Sequence, residues 1–207
     1  MDKNIPLFGD LVVDRLIEDF FMENSAGRLY IDACEQHKWP FVIDHITLRC
    51  MNIERRADLF LKKGYLYQDE IVEYKDQGWW AKIYRKPDFP VLFIDQAYDD
   101  ARDAIIPAWV KKFGEDVLHH VAVRVADIDT VILALAKNGV SFSGEVVGGK
   151  GSRLRQIFTI AEQRDGKAFT VLELTERNGY NGFYPDQANR LMEASVQTQG
   201  ESAEGGI

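Results

Sequence analysis

Cysteine is scarce in this sequence of 207 residues, which contains only Cys34 and Cys50. The two are not spaced as metal ligands usually are, so we expect reduced core thiols rather than a disulfide or a nucleophile. Long apolar runs are also missing. None approaches the roughly 20 residues that a membrane helix requires, and residues 1–9 lack the apolar core of a signal peptide. These absences predict a soluble, cytoplasmic protein with no membrane partner.

Runs of positive charge are absent as well. The chain has 25 Lys and Arg residues against 33 Asp and Glu residues, a net charge of -8, and a pI near 5.1. Proteins that bind nucleic acid usually carry clustered basic residues, so we expect no nucleic-acid partner. Hydrophobic residues make up 46% of the chain, enough to bury a core. We expect a globular monomer or homodimer whose partner is a small molecule or another protein.

One pattern occurs twice in the chain. The segments 43–49 (Ile-Asp-His-Ile-Thr-Leu-Arg) and 118–124 (Leu-His-His-Val-Ala-Val-Arg) each contain a His that is followed four residues later by an Arg. An offset of 75 residues relates the histidines, the arginines and a later glycine of the two copies: His45 and His120, Arg49 and Arg124, Gly64 and Gly139. The repetition indicates that one structural unit is used twice.

Both segments have the alternation of a β-strand, which places successive side chains on opposite faces. One face of each copy carries an imidazole and a guanidinium: His45, Thr47 and Arg49 in the first, His120, Ala122 and Arg124 in the second. The other face is apolar and suited to packing. Strict alternation places Asp44 and His119 on this second face, away from the neighbouring histidines.

The spacing of apolar residues predicts the order of the remaining elements. The N-terminal segment 1–40 has two helices, at 10–24 and 26–37. The first module, 41–96, has a strand at 42–50, a helix at 53–63 and strands near 65–74, 79–84 and 91–95. A linker, 97–117, contains a helix at 98–113. The second module, 118–177, has a strand at 118–125, a helix at 127–137 and strands near 140–147, 154–161 and 169–174. A C-terminal helix in 178–195 and a disordered tail at 196–207 complete the prediction. The fold class is α+β, with two tandem βαβββ modules.

Two βαβββ units that each open with a His-bearing strand resemble the vicinal-oxygen-chelate superfamily. The runs at 154–159 (Leu-Arg-Gln-Ile-Phe-Thr) and 169–177 resemble the last strands of 4-hydroxyphenylpyruvate dioxygenases. Three features are more similar to the 2-oxoadipate dioxygenase/decarboxylase family, also called hydroxyglutarate synthases. They are the Arg four residues after each His, the Leu-Arg-Gln run, and Gly-Phe-Tyr-Pro-Asp-Gln-Ala at 182–188. The resemblance covers about residues 41–195, and the chain lacks that family's longer insertions between strands.

This resemblance implies a curved, cup-like mixed sheet around a metal ion, closed by the C-terminal helix. It implies His45, His120 and Glu173 as the metal ligands. Two His residues and one carboxylate form the facial triad of non-haem Fe(II) oxygenases, which leaves coordination positions for O2 and substrate. The implied cofactor is Fe(II), with Zn, Ni or Mn as other divalent candidates.

The ligand assignment leaves two alternatives. His119 competes with His120, and the repeat selects His120 because it aligns with His45. Glyoxalase-type members of the superfamily take a fourth ligand from the last strand of the first unit, where this chain has Phe93, whose ring cannot ligate. Asp95, two residues further on, is the remaining candidate for that position.

The resemblance also assigns substrate-binding roles to two arginines and a glutamine. Arg49 would hold a distal carboxylate of the substrate, because a guanidinium donates two parallel hydrogen bonds to such a group. An internal salt bridge is the alternative role for Arg49. For Arg124, only its alignment with Arg49 in the repeat favours a substrate-binding role. Gln156 would orient a 2-oxo acid or serve structure alone, while Arg155 points to the other strand face.

Aromatic and helical residues complete the implied pocket: Phe158, Phe183 and Gln187. The last two begin the C-terminal helix, which would close over the pocket or simply pack against the sheet. The predicted function is an Fe(II)-dependent dioxygenase that uses O2 to decarboxylate a 2-oxo acid oxidatively, preferably a 2-oxo dicarboxylic acid such as 2-oxoadipate. The alternatives are a 4-hydroxyphenylpyruvate dioxygenase-like enzyme, a glyoxalase-like metal isomerase or lyase, and a metal-free module of the same fold that binds a small molecule.

Overall fold

The computed structural model describes residues 5–101 and 105–204, with side chains up to residue 194. The first half contains, in order, α1 (Leu11–Glu23), α2 (Ser25–His37), β1 (Val42–Arg49), α3 (Ile53–Leu61), β2 (Leu66–Tyr74), a short 3-10 turn (Lys75–Gln77), β3 (Trp79–Arg85) and β4 (Val91–Ala97). The second half contains α4 (Ile105–Phe113), β5 (Leu118–Val125), α5 (Ile128–Lys137), β6 (Phe142–Val147), β7 (Leu154–Thr159), β8 (Gln163–Arg164), β9 (Lys167–Ala168), β10 (Val171–Arg177) and α6 (Pro185–Glu204).

Eight strands form one mixed sheet in the order β2-β3-β4-β1-β5-β10-β7-β6. Each module has the same internal pairing, because β1 pairs in parallel with β4 and β5 pairs in parallel with β10. The two modules join through antiparallel pairing of β1 with β5. The predicted α+β class, with two βαβββ modules in one curved sheet, is confirmed. The small hairpin of β8 and β9 was not predicted.

The helices that follow β1 and β5 begin at capping residues 75 positions apart. Asn52 accepts a hydrogen bond from the backbone of Arg55 at the start of α3. Asp127 accepts from the backbone of residues 129 and 130 at the start of α5. Side-chain oxygens at these positions satisfy amides that the first helical turn leaves free. Both connections after the helices pass through a glycine with a positive φ, 90° at Gly64 and 87° at Gly139. The repeat seen in the sequence is therefore a repeat of local structure.

Two apolar clusters lie on opposite sides of the sheet. The cluster on the back buries the inner faces of α1, α2, α3 and α5 and includes Phe20, Tyr30, Phe60 and Leu135. The cluster on the concave side packs α4 and α6 and includes Trp79, Trp109, Phe158 and Leu191. Because both faces of the sheet are covered, polar groups on the central strands lie out of water and need partners from the protein.

Each His-bearing strand contains a β-bulge next to its repeated histidine. The pairing of β1 with β5 shifts register between Ile43 and His45, which makes Asp44 an extra residue. A second shift, after Thr47, makes His119 the extra residue of β5. The apolar residues on either side of each bulge belong to the same back cluster: Ile43 and Ile46, Leu118 and Val121. A bulge sets two residues against one on the partner strand, so alternation fails there. The prediction that Asp44 and His119 face away from the histidines is wrong.

Some element boundaries differ from the prediction. The linker helix α4 begins at Ile105 rather than at residue 98, and residues 102–104 lie outside the described chain. Helix α6 continues to Glu204, past the predicted end at 195, whereas we predicted a disordered tail at 196–207. Gln, Glu and Ala in this stretch favour a helix despite its small, polar composition. Residues 205–207 are outside the described part. No helix in that part combines the length and apolarity needed to cross a membrane.

Candidate metal centre and cavity

Three central strands bring His45, His120 and Glu173 together on the concave face. The strands β1, β5 and β10 are neighbours in the sheet, and Ala122 of β5 lies opposite both His45 and Glu173. Ala122 is fully buried. Its methyl group is the only side chain that β5 places between the two ligand candidates, which leaves room for an ion.

The three side chains have the separations expected of ligands that share one ion. Nε2 of His45 lies 3.2 Å from Oε2 of Glu173, and Nε2 of His120 lies 3.7 Å from the same oxygen. The ligating atoms of all three residues lie within 4.8 Å of one another. Ligands bound at about 2.0–2.2 Å and at right angles are roughly 3 Å apart. The donor set and its spacing therefore fit a divalent ion, with small inward movements.

His45 is held from behind by a buried carboxylate. Oδ1 of Asp44 lies 2.9 Å from Nδ1 of His45, which leaves Nε2 directed at the cluster. Arg177 donates to both oxygens of Asp44, at 2.7 and 2.8 Å, and Arg124 donates twice to Oδ2, at 3.0 and 2.9 Å. A carboxylate behind a ligand histidine fixes its ring orientation and tautomer. The bulge that turns Asp44 inward makes this contact possible.

Glu173 is oriented by two donors to the oxygen that faces away from the histidines. Gln156 donates from Nε2 to Oε1 at 2.7 Å, and the hydroxyl of Thr175 donates to the same atom at 2.6 Å. Oε2 remains directed at His45 and His120. One oxygen is thus satisfied by the protein and the other is available to an ion.

His120 contacts polar groups at both ring nitrogens. Oγ1 of Thr47 lies 2.8 Å from Nε2, and Nδ1 of His119 lies 3.2 Å from Nδ1 of His120. An ion at Nε2 would require the Thr47 hydroxyl to turn away. His119 itself packs against the ring of Trp109 at a centroid distance of 5.8 Å. His119 is not part of the group of ligating atoms, which consists of His45, His120 and Glu173.

Within the cluster, His45 and Glu173 form an ion pair, and His120 is neutral. Burial opposes the charged form of His45, but the charge of Glu173 and the Asp44 hydrogen bond outweigh it and raise the pKa of His45 to about 9. Burial also opposes ionisation of Glu173, yet the charge of His45 lowers the pKa of Glu173 to about 2. Burial is the main reason why the pKa of His120 falls to about 3. An ion that binds here would displace the proton of His45.

The cluster opens into a cavity of about 520 Å³, counting the part that joins solvent. Its polar lining includes the three ligand candidates, Thr47, Asp95 and Gln156. Helix α6 contributes Pro185, Ala188, Leu191 and Met192. The other lining residues are largely apolar: Val72, Tyr74, Trp79, Ala81, Phe93, Phe158 and Phe183. The rings of Phe93 and Phe183 lie 5.1 and 5.2 Å from the ring of His45. A mostly apolar lining with few polar groups is typical of small-molecule sites.

The structure brings some of the predicted substrate-binding residues to the cavity and not others. Gln156, Phe158 and Phe183 line it, whereas Arg49, Arg124 and Gln187 are not among the lining residues. Arg124 pairs with Asp44 at the rim of the sheet, where its side chain is 45% exposed. The side-chain carbonyl oxygen of Gln187 is buried and has no hydrogen-bond partner among the described residues.

Arg49 is buried on the concave face, 2% exposed. Its guanidinium lies 5.6 Å from the ring centre of Trp109, and its Nε has no hydrogen-bond partner in the described chain. Asp95 is the residue opposite it in the pairing of β1 with β4. Burial lowers the pKa of Arg49 to about 10, and the charge of Asp95 opposes that change. The predicted alternative of an internal charge pair therefore has a nearby candidate partner.

Arg155, the other arginine of the Leu-Arg-Gln run, lies away from the cavity. It donates to Glu176 at 3.0 Å and to Asp129 at 2.8 Å. Glu176 in turn accepts a hydrogen bond from the backbone of Ile128. This network ties the start of α5 to the back of the sheet.

Sequence reasoning missed two residues that support the cluster, Asp44 and Arg177. The signal for Asp44 is present, because the apolar back positions run 43, 46, 48 and 50, with one gap of three. Such a gap within a strand indicates a bulge. The role of Arg177 has no local signal, since its partner is 133 residues away in the chain. Asp95, the predicted candidate for a fourth ligand, lines the cavity outside the ligating group.

No protein-family model matches this chain, and no curated protein is detectably similar to it in sequence. Solved structures do match. A protein from Shewanella frigidimarina NCIMB 400, provisionally described as a hydrolase, aligns with a TM-score of 0.70 at 20% identity, over 84% of this chain and 96% of that chain. A variant of 4-hydroxymandelate synthase from Streptomyces coelicolor aligns with a TM-score of 0.65 at 20% identity, over 78% of this chain and 56% of that one.

A third match comes from Ralstonia eutropha JMP134 and is a protein provisionally assigned to the glyoxalase superfamily. It aligns with a TM-score of 0.67 at 12% identity, over 83% of this chain and 84% of that one. The chain has the glyoxalase fold. The expected fold is confirmed at this level. At such identities the similarity describes the fold alone, and the closer resemblance to 2-oxoadipate dioxygenases stays a prediction.

Proposed function

We propose that this protein is an Fe(II)-dependent dioxygenase that oxidatively decarboxylates a 2-oxo acid. One observation carries the proposal: His45, His120 and Glu173 converge in a largely apolar cavity. Two imidazoles and one carboxylate suit iron and leave positions for further ligands. No fourth protein ligand lies in the described group, so a chelating substrate and O2 would have room.

The residues present fit an iron ion. Fe(II) held by them would supply coordination of O2 and of the two oxygens of a 2-oxo acid. Glu173 would contribute the single negative charge of the site, and Gln156 and Thr175 would hold it in one orientation. Asp44 would keep His45 in the tautomer that presents Nε2. The phenylalanine rings around His45 would exclude water from the reacting atoms.

The proposed reaction balances without an added reductant. Loss of CO2 from a 2-oxo acid releases two electrons, and hydroxylation of the remaining substrate releases two more. Together they reduce O2 fully, with one oxygen atom entering the new carboxylate and the other the new hydroxyl group. The protein would therefore need only the 2-oxo acid and O2 as co-substrates.

The lining of the cavity supports a substrate with an apolar or aromatic end over the predicted 2-oxo dicarboxylic acid. Among the residues described by the structure, no Arg or Lys lines the cavity, and Arg49 is buried beside Trp109 instead. A buried carboxylate without a cation is costly. The hydroxyphenylpyruvate-like alternative is thereby favoured. The similarity to a 4-hydroxymandelate synthase, whose name implies a hydroxylated aromatic acid as product, is in keeping with it through the fold.

The test is oxygen consumption by protein loaded with Fe(II) under anaerobic conditions. A panel of aromatic, aliphatic and dicarboxylic 2-oxo acids would be compared on an O2 electrode, with CO2 release measured in parallel. The wild type should consume O2 with at least one aromatic 2-oxo acid, and Glu173→Gln should not, because the anionic ligand is lost. Glu35→Gln, at an exposed site on α2, is the matched control and should retain full turnover.

Two results would contradict the proposal. Wild-type turnover by Glu173→Gln would remove this residue from the metal site. Substoichiometric iron that does not change in His45→Ala, without O2 consumption for any acid, would instead support a metal-free binding module.

A further inference from the structure

Asp95 is a buried carboxylate with no assigned partner. It lies on β4, two residues after Phe93, is 4% exposed and lines the cavity. Among the residues whose side chains the structure describes, none donates a hydrogen bond to its carboxylate, and its interactions with Arg49 and His45 are through charge alone. The described atoms grouped closely enough to hold a metal belong to His45, His120 and Glu173, and Asp95 lies outside that group.

A buried acceptor without a donor is unfavourable and rare in native proteins. Burial raises the pKa of Asp95 to about 7, although the charges of Arg49 and His45 oppose the rise. The buried Nε of Arg49 in turn has no acceptor in the part of the chain that the structure describes. Arg49 and Asp95 thus lie opposite each other on neighbouring strands, and no hydrogen bond joins them among the described residues. A ligand in the cavity could supply the hydrogen-bond donor that the carboxylate of Asp95 lacks.

The position of Asp95 relative to the metal site suits the far end of a small ligand. Asp95 lies opposite Arg49 on β1, four residues beyond His45, which lies opposite Val91. Four strand residues span about 13 Å between backbone atoms. Phe93 lies between these two ends on the same strand and lines the cavity with its ring. A ligand held at His45 and extended along β4 would pass Phe93 and reach Asp95.

We propose that Asp95 forms a distal polar subsite that accepts a hydrogen bond from a hydroxyl or amino group at the apolar end of the substrate. The same carboxylate excludes substrates that end in a second carboxylate. This inference rests on the proposed function, which identifies the metal-binding end of the substrate as a 2-oxo acid. It adds a specificity residue and names the chemical group that the residue selects.

The experiment measures binding rather than turnover. Protein loaded with Zn(II) is titrated by calorimetry with three acids of equal length that end in methyl, hydroxyl or carboxylate: 2-oxohexanoate, 6-hydroxy-2-oxohexanoate and 2-oxoadipate. Phenylpyruvate and its 4-hydroxy derivative provide an aromatic pair. Asp95→Asn retains the shape of the side chain and removes its charge. Asp116→Asn, whose side chain is 92% exposed, is the control for loss of an aspartate charge.

The wild type should bind the hydroxyl acid about tenfold more tightly than the methyl acid, since hydrogen bonds to charged groups are stronger than neutral ones. In Asp95→Asn this preference should fall by about tenfold. Affinity for the dicarboxylic acid should rise in the same variant by about tenfold, because Arg49 would then be uncompensated. Opposite changes for two ligands distinguish a specificity role from a general loss of structure, which would weaken all ligands alike.

Equal hydroxyl-to-methyl ratios in the wild type and Asp95→Asn would overturn the subsite, as would equal losses for all three acids. If Asp95→Asn does not fold, Asp95→Glu keeps the charge beside Arg49 and should transfer the preference to 5-hydroxy-2-oxopentanoate, which is one carbon shorter. An unchanged length preference would again overturn the proposal.

A fragment pair separates this inference from the proposed function. Phenol and toluene differ in one hydroxyl group and need no metal to enter the cavity. Phenol should protect the metal-free wild type from thermal unfolding more than toluene does, and Asp95→Asn should lose the difference. If phenol protects in this way but no 2-oxo acid binds, the polar subsite at Asp95 is supported and the proposed substrate class is rejected. No phenol preference in the wild type would reject Asp95 itself.

Discussion

At the scale of single residues, the polar side chains of the candidate site differ in how many hydrogen-bond partners the protein provides. Asp44 is the most constrained polar residue of the candidate site, because one carboxylate serves His45, Arg124 and Arg177 at once. The side chain of Asp44 is 1% exposed and that of Arg177 is 3% exposed. The charges of His45 and Arg177 outweigh burial and hold the pKa of Asp44 well below its usual range. It is therefore an obligatory anion in the folded protein.

We expect Asp44→Asn to lower the free energy of unfolding by about 3–5 kcal/mol, because it leaves the charge of Arg177 buried without its partner. Metal affinity should also fall by about 10- to 100-fold, as a ligand histidine loses its orienting carboxylate. Urea unfolding and competitive Zn(II) titration measure the two effects. Asp129→Asn is the control, since its ion pair with Arg155 is 45% exposed on the carboxylate side. Similar losses in both variants would show that Asp44 has no special role.

At the scale of elements, the loop before α6 is fastened to the sheet by one side chain. Arg177, the last residue of β10, donates to the backbone oxygens of Tyr180 at 3.1 Å and Gly182 at 2.7 Å. Its guanidinium also lies 4.7 Å from the ring centre of Phe183. The same guanidinium also donates to both oxygens of Asp44. Arg177 therefore connects the segment that covers the cavity with the carboxylate that orients His45.

Replacing Arg177 with Lys should loosen this segment. A lysine keeps the charge but provides a point contact in place of the planar fork that reaches Asp44 and two carbonyls. Amide hydrogen exchange in peptides from 178–194 should become about tenfold faster, while β1 and β5 exchange as before. Arg153→Lys is the matched control, because Arg153 is exposed and only stacks near Tyr180, at 5.5 Å. Exchange that rises equally in both variants, or throughout the sheet, would contradict the link.

For the whole molecule, the important fact is that the candidate ion site joins the two modules. His45 comes from the first module, His120 and Glu173 come from the second, and the strands β1 and β5 form the seam between them. A ligand that binds only the folded state stabilises it according to its concentration and affinity. An ion that needs both modules in register should therefore hold them together during unfolding.

We expect Zn(II) or Fe(II) to raise the melting temperature, with a gain of about 2.7 kcal/mol when the free metal is at 100 times its Kd. A chelator should reverse the gain, and Glu173→Gln should not show it. Calorimetry with and without metal gives the measurement. A gain of the same size in Glu173→Gln would place the binding elsewhere on the protein.

The sequence by itself determined the duplicated architecture and the elements that carry the site. The 75-residue offset and the glycines after each helix are local features, and local physics fixes them. Matching His45 with His120 through that offset also predicted two residues that now lie in one cluster with Glu173. The fold prediction succeeded because a repeat in sequence imposes the same short-range structure twice.

Only the tertiary structure decided which side chains meet. The bulges at Asp44 and His119 depend on the register between β1 and β5, and a shift of one residue reverses which face a side chain occupies. The partners of Arg49, Arg124 and Arg177 lie on other strands, so no spacing in the sequence identifies them. The place of Asp95 in the cavity is likewise set by strand order. Alternation fixes the two faces of a strand, whereas the packed sheet fixes what each face touches.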